Sequence, residues 1–159
     1  MQHDLASAAL PRFFPVTQSF PRPTVDNIVA AVHQQLERLQ LEDLSGLRVA
    51  VTVGSRGIAS IATITRAIVD WLKDAGATVI LIPAMGSQGG ATSEGQLGVL
   101  QRFGITPESM GCTIQSSMEV VEVCKADEGF PIYIDRFAAE ADRLLIVNRI
   151  KPHTRFDGA

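Results

Sequence analysis

Two stretches of this chain can be buried on both faces. Residues 47–53 read Leu-Arg-Val-Ala-Val-Thr-Val and residues 77–82 read Ala-Thr-Val-Ile-Leu-Ile. Neither alternates apolar with polar, as a strand with one wet face would. Between them Ile61, Ile64, Ile68, Leu72 and Ala75 recur at helical spacing, and Gly76 follows in the position that closes a helix. Strand, helix and strand in that order require a parallel pair with a covering helix.

The pattern extends to both sides. Thr24 reads as an N-cap, and Val25, Ile28, Val29, Val32, Leu36 and Leu39 predict a helix running to about Gln40, with His33 beside the stripe as a structural or surface residue. A short helix is expected from Ser93. Residues 112–115, 120–123 and 131–134 read as three short strands, with a turn at 129–131. A short helix over 137–141 precedes a last strand, 144–147. The predicted fold is α/β and Rossmann-like: a mostly parallel sheet, helices on both faces, and a short antiparallel excursion.

Residues 1–23 stand apart. Pro11, Pro15, Pro21 and Pro23 are four of the eight prolines, and Phe13, Phe14 and Phe20 are three of the seven phenylalanines. Proline opposes both helix and ladder. An extended arm is expected, followed by an α/β domain over 24–159. The arm is a candidate for joining copies into a homo-oligomer.

Composition narrows the partners. The net charge is −3, with acids and bases interspersed. No basic stripe is available to neutralise nucleic-acid phosphates. No apolar run approaches the ~20 residues of a membrane span, and the first residues lack a basic start. A cytoplasmic protein is the expectation. Cys112 and Cys124 are too few for a disulfide framework and are expected to be buried thiols.

Three strands should end in polar loops: 54–57, 86–92 and 148–155. Loops at the carboxyl ends of parallel strands lie together, and ligands bind there. Helices beginning after the first two would turn free N–H groups toward an anion. Arg56, Arg149, Lys151 and Arg155 add positive charge, which suits a small carboxylate or phosphate. His153 sits among these cations. They would lower its pKa and keep it neutral, as a general base requires. Neither glycine-rich loop matches the P-loop or the dinucleotide fingerprint.

At these loops the sequence resembles the lactate racemase family, the nickel-pincer-nucleotide-dependent racemases and epimerases of 2-hydroxy acids. The residues that carry the resemblance are Val53-Gly54-Ser55-Arg56, Ala84-Met85-Gly86-Ser87-Gln88-Gly89-Gly90-Ala91-Thr92 and Asn148-Arg149-Ile150-Lys151-Pro152-His153-Thr154. It covers nearly the whole chain but only the N-terminal portion of the longer family sequences, which carry a second domain. The resemblance implies hydride transfer from the carbinol carbon of a 2-hydroxy acid to the tethered cofactor. Two histidines, one per face, handle the hydroxyl proton, and an arginine orients the carboxylate. Carried over, Arg56 matches the arginine and His153 one base. Ser55, Gly86, Ser87, Arg149 and Lys151 flank the substrate. Gln88 stands where the family has the other histidine, and glutamine takes no proton near neutral pH. Val53 stands where the family has an aspartate. The family's anchoring lysine and nickel-ligating histidine fall beyond the position of Ala159, so no metal ligand is expected here and this chain alone is expected to be inactive. The alternative is a non-catalytic domain binding a small anion or a nucleotide phosphate.

Overall fold

The computed structural model describes residues 13–21, 23–55 and 57–149. The first helix, α1, spans Ile28–Arg38. It starts later than Thr24. Asn27 is the cap, its side-chain oxygen accepting the Ala30 N–H at 3.0 Å, and Val25 stays outside the helix. Both residue types cap well, and Asn27 is the one whose side chain accepts a first-turn N–H.

Strand β1 (Arg48–Val53), helix α2 (Ile61–Asp74) and strand β2 (Thr78–Pro83) follow as expected. Gly76 takes a left-handed φ of 85° just past the α2 C-cap, a conformation glycine adopts without steric cost. After β2 come a short 3-10 turn at Gln88–Ala91 and helix α3 (Ser93–Arg102). Helix α4 (Pro107–Met110) is opened by a Thr106–Ser109 capping box.

The main sheet has the order β3-β2-β1-β6, with every pairing parallel. Its edge strand β3 (Thr113–Ile114) belongs to this sheet, not to an antiparallel excursion of three strands. The excursion is a two-stranded hairpin of β4 (Val120–Lys125) and β5 (Pro131–Asp135), with a register shift between Glu122 and Cys124. Both strands of this ribbon carry solvent-exposed side chains, which places Cys124 in the open. Cys112 is half-buried. The expectation of two buried thiols therefore holds for neither in full. Helix α5 (Arg136–Ala139), capped by Asp135, leads into β6 (Arg143–Leu145).

Alternate strand residues serve two cores. Val49, Val51, Val53, Val79 and Leu81 pack with Leu36, Ile68, Val69, Leu72, Val99 and Leu100 beneath α1–α4. Ala50, Ile80 and Ile82 point the other way, toward Ala138 of α5 with Ile134 and Phe137. Burial on both faces is why β1 and β2 show no polar alternation.

The order fixes the location of a crevice. From β1 the chain steps outward to β2 and β3, then returns to the opposite side of β1 as β6. Strand order reverses between β1 and β6, and ligands of open α/β sheets bind outside the carboxyl ends of strands at such a reversal.

Candidate functional site

The β1–β6 ladder is short: Val49, Ala50 and Val51 pair with Arg143, Leu144 and Leu145. Beyond that the strands separate. The Thr52 side chain takes over, its hydroxyl oxygen accepting the Val147 N–H at 2.9 Å. Thr52 is buried. The last strand expected over 144–147 therefore leaves the sheet after Leu145, tied by a side chain instead of a backbone pair.

The separation opens a cleft of about 340 Å³ across the strand ends. Gly54 and Ser55 reach it from the β1 loop, Gly86, Ser87 and Gln88 from the β2 loop, and Asn148 and Arg149 from the segment after β6. Ile58 and Met85 supply its apolar lining. Three loops far apart in sequence thus meet in one hollow. A larger hollow of about 730 Å³ lies along α3 and α4, lined by Glu94, Gln101, Arg102 and Glu108 among others. It lies away from the carboxyl ends of β1 and β6 and carries charges of both signs.

Arg149 bridges two of the three loops. Its Nη1 donates to the Gly57 carbonyl at 2.7 Å. Gly57 has a left-handed φ of 64°, and the Arg149 guanidinium lies where a β-carbon would project. The guanidinium thus fastens the β6 segment to the β1 loop while placing positive charge at the rim of the cleft.

The β2 loop is held from behind. Buried Gln96 of α3 donates through Nε2 to the Gly86 carbonyl at 2.9 Å. Gly89 and Gly90 take left-handed φ values of 67° and 71°. The backbones of Gly89 and Gly95 touch so closely that neither has room for a β-carbon. Thr92 Oγ1 donates to the Gly89 carbonyl and accepts the Gly95 N–H, both at 3.1 Å. The first turn of α3 is therefore capped by its own approach, and Gly86, Ser87 and Gln88 face the cleft in its place. A 3-10 turn thus separates the α3 N-terminus from the loop residues that line the cleft, and the Gly95 N–H of its first turn is taken by Thr92.

Of the site residues expected from sequence, Ser55, Gly86, Ser87, Gln88 and Arg149 line this one cleft. Arg56, Lys151 and His153 lie outside the described residues. Sequence reasoning missed Thr52 and Gln96. Thr52 is a polar residue in an apolar strand, a signal that marks a buried partner without naming it, whereas Gln96 stands in a mixed run and carries no such signal.

Among the described residues no group of three or more His, Cys, Asp and Glu could hold a metal ion. The cleft offers hydroxyl, amide, backbone and guanidinium groups. These suit an oxyanion and provide no ligand set for nickel. Also among the described residues, no helix is long and apolar enough to cross a membrane.

No curated protein and no solved structure matches the chain. The family model described as the lactate racemase N-terminal domain matches residues 20–158, which takes in every strand of the sheet and all three loops. The chain belongs to the lactate racemase N-terminal domain family.

Proposed function

We propose that this domain forms the substrate-facing half of an isomerase acting on a 2-hydroxy acid or sugar acid. One observation carries the reading. Residues from the loops after β1, β2 and β6 converge on one small cleft with a guanidinium at its rim and, among the described residues, no acid in its lining. A cleft of about 340 Å³ is at the small end of ligand sites and suits a ligand of a few carbons.

Each residue has a distinct role in this proposal. Arg56 forms a bidentate pair with the substrate carboxylate. Ser55, Ser87 and the Gly86 backbone hydrogen-bond its remaining oxygens. Arg149 and Lys151 raise the local potential. His153 accepts the proton of the 2-hydroxyl through a ring nitrogen. Gln88 hydrogen-bonds the same hydroxyl but takes no proton, so proton handling falls to His153. The family's nickel-pincer nucleotide finds no ligand set among the described residues, and no step is assigned to it. The cytoplasm, where such acids are metabolised, is the proposed compartment.

A non-catalytic reading, binding of a small anion or a nucleotide phosphate, is favoured by Gln88 and by the lack of a metal-ligating group among the described residues. Amide NMR titration separates the two. Under the first, lactate or a sugar acid shifts the Ser55 and 86–88 resonances, and Arg56→Ala abolishes the response. Propionate, which lacks the hydroxyl, binds more weakly. If phosphate or nucleotides shift those resonances and hydroxy acids do not, the isomerase reading fails. Stereochemical inversion of a 2-hydroxy acid by the cofactor-loaded protein, lost in His153→Ala, tests the catalytic step.

A further inference from the structure

The N-terminal arm and the α1–α2 face are both apolar, both open and unused by the cleft. In the arm Phe13, Phe14 and Phe20 are 92%, 79% and 63% exposed, and Val16 is exposed as well. Residues 13–21 form neither helix nor strand. The groove lies between the first two helices. It measures about 620 Å³ and is lined chiefly by Val25, Ile28, Val32, Leu36, Ile64 and Ile68. One aromatic ring fits a cavity of roughly 150 Å³, so this groove has room for more than one.

We propose that the arm of one copy seats its phenylalanines in the α1–α2 groove of a second copy, forming an arm-exchanged dimer. Three arguments select this occupant. The first is supply. The chain carries its own ligand for the groove, a cluster of aromatic residues that water disfavours.

The second is geometry. The groove starts at Pro23 and Val25, immediately after the arm. Yet the arm's phenylalanines stand outside this groove and exposed, and none of residues 13–21 lines it. A nine-residue stretch reaches at most roughly 30 Å. The groove of a neighbour lies within such a reach.

The third argument is area. Three phenylalanines, each burying roughly 150 Å² and covering a similar area of groove, form two such contacts in a reciprocal exchange. The total lies within the ~1,200–2,000 Å² of a stable specific interface. A single arm folded back alone would gain half of it.

Analytical ultracentrifugation of the whole chain at micromolar concentrations tests the proposal. The unaltered chain should sediment as a dimer. The triple variant Phe13→Ser/Phe14→Ser/Phe20→Ser and the groove variant Val25→Glu should each be monomeric. All four positions are exposed, so circular dichroism should show the fold intact. The decisive measurement mixes the two variants. The triple variant keeps a sound groove and Val25→Glu keeps a sound arm, so a fluorescently labelled mixture should recover a hetero-dimer through one arm. A monomeric unaltered chain overturns the proposal. So does a dimer that survives the triple substitution, a dimer that survives Val25→Glu, or a mixture that stays monomeric. None of these outcomes bears on hydroxy-acid binding, so the two readings fail separately.

Discussion

The Thr52 hydroxyl oxygen accepts the backbone N–H of Val147 at 2.9 Å, across 95 residues of sequence. This bond stands where the next rung of the parallel ladder would have been. It lets β6 swing away from β1 without leaving the Val147 N–H unpaired, so the crevice opens while the polar group stays satisfied. The segment leading to Asn148 and Arg149 is thereby fixed to the most buried strand of the sheet.

Replacing Thr52 by valine keeps the shape and removes the acceptor. A half-buried N–H left unsatisfied costs about 1–2 kcal/mol. The urea midpoint of Thr52→Val should fall accordingly, and hydrogen exchange at the Val147 amide should accelerate more than at Leu145, whose rung is independent. Thr52→Ser retains the acceptor and should stay much closer to the unaltered chain in both measurements. Equal exchange rates in Thr52→Val and the unaltered chain would show that the bond contributes nothing.

The sheet was legible because its two central strands are buried on both faces. Ala50 and Val51 have opposite orientations and are both fully buried, so the apolar residues of the run are not confined to one face. Strand β3 was legible as a strand but not in its placement. Thr113 and Ile114 pair with Ile80 and Leu81, and nothing local to residues 112–115 distinguishes that partner from a hairpin neighbour. Cys124 reads as a buried thiol because its neighbours are apolar and β-prone. It sits in a two-stranded ribbon instead, where exposure follows from the missing third strand and not from composition. The candidate site shows the same division. Loop composition marked Ser55, Gly86, Ser87, Gln88 and Arg149, because loops at the carboxyl ends of parallel strands lie together and three of them here are polar. Thr52 and Gln96 could not be read, since their partners lie 95 and 10 residues away and only the fold brings them together.

Gly95 reverses an ordinary rule. It occupies the third position of α3, where alanine normally stabilises a helix by about 0.5–1 kcal/mol over glycine. Here a β-carbon would collide with the Gly89 carbonyl and lie 2.8 Å from Thr92 Oγ1. Gly95→Ala should therefore lose roughly 1–3 kcal/mol, as overpacked sites do, and displace the loop that carries Ser87 and Gln88. Gly98 in the same helix is the control: among the described residues a β-carbon there meets no atom within 4 Å, and Gly98→Ala should stabilise the domain. Thermal unfolding of the two variants should give shifts of opposite sign. Shifts of the same sign would show that the Gly89–Gly95 contact does not constrain the loop.

The two cysteines should react at different rates. Burial pushes the Cys112 thiol up from its ordinary value, only partly offset by Lys73 and Arg66 nearby. Cys124 is exposed on the hairpin. The thiolate is the reacting species, so at mildly alkaline pH a disulfide reagent should modify Cys124 quickly and Cys112 slowly. Cys112 also carries a pH dependence of known sign. Its folded-state pKa lies above the unfolded one, so the folded chain binds the extra proton between the two values. The stability it contributes is fully present below the unfolded thiol pKa and is lost as pH rises through the folded one. Stability should fall on the alkaline side, and Cys112→Ala should flatten that part of the curve while Cys124→Ala leaves it in place. Denaturation midpoints across a neutral-to-alkaline series measure this directly. An equal alkaline slope in Cys112→Ala and the unaltered chain would remove Cys112 as its source, and equal labelling rates would remove burial as the control on its reactivity.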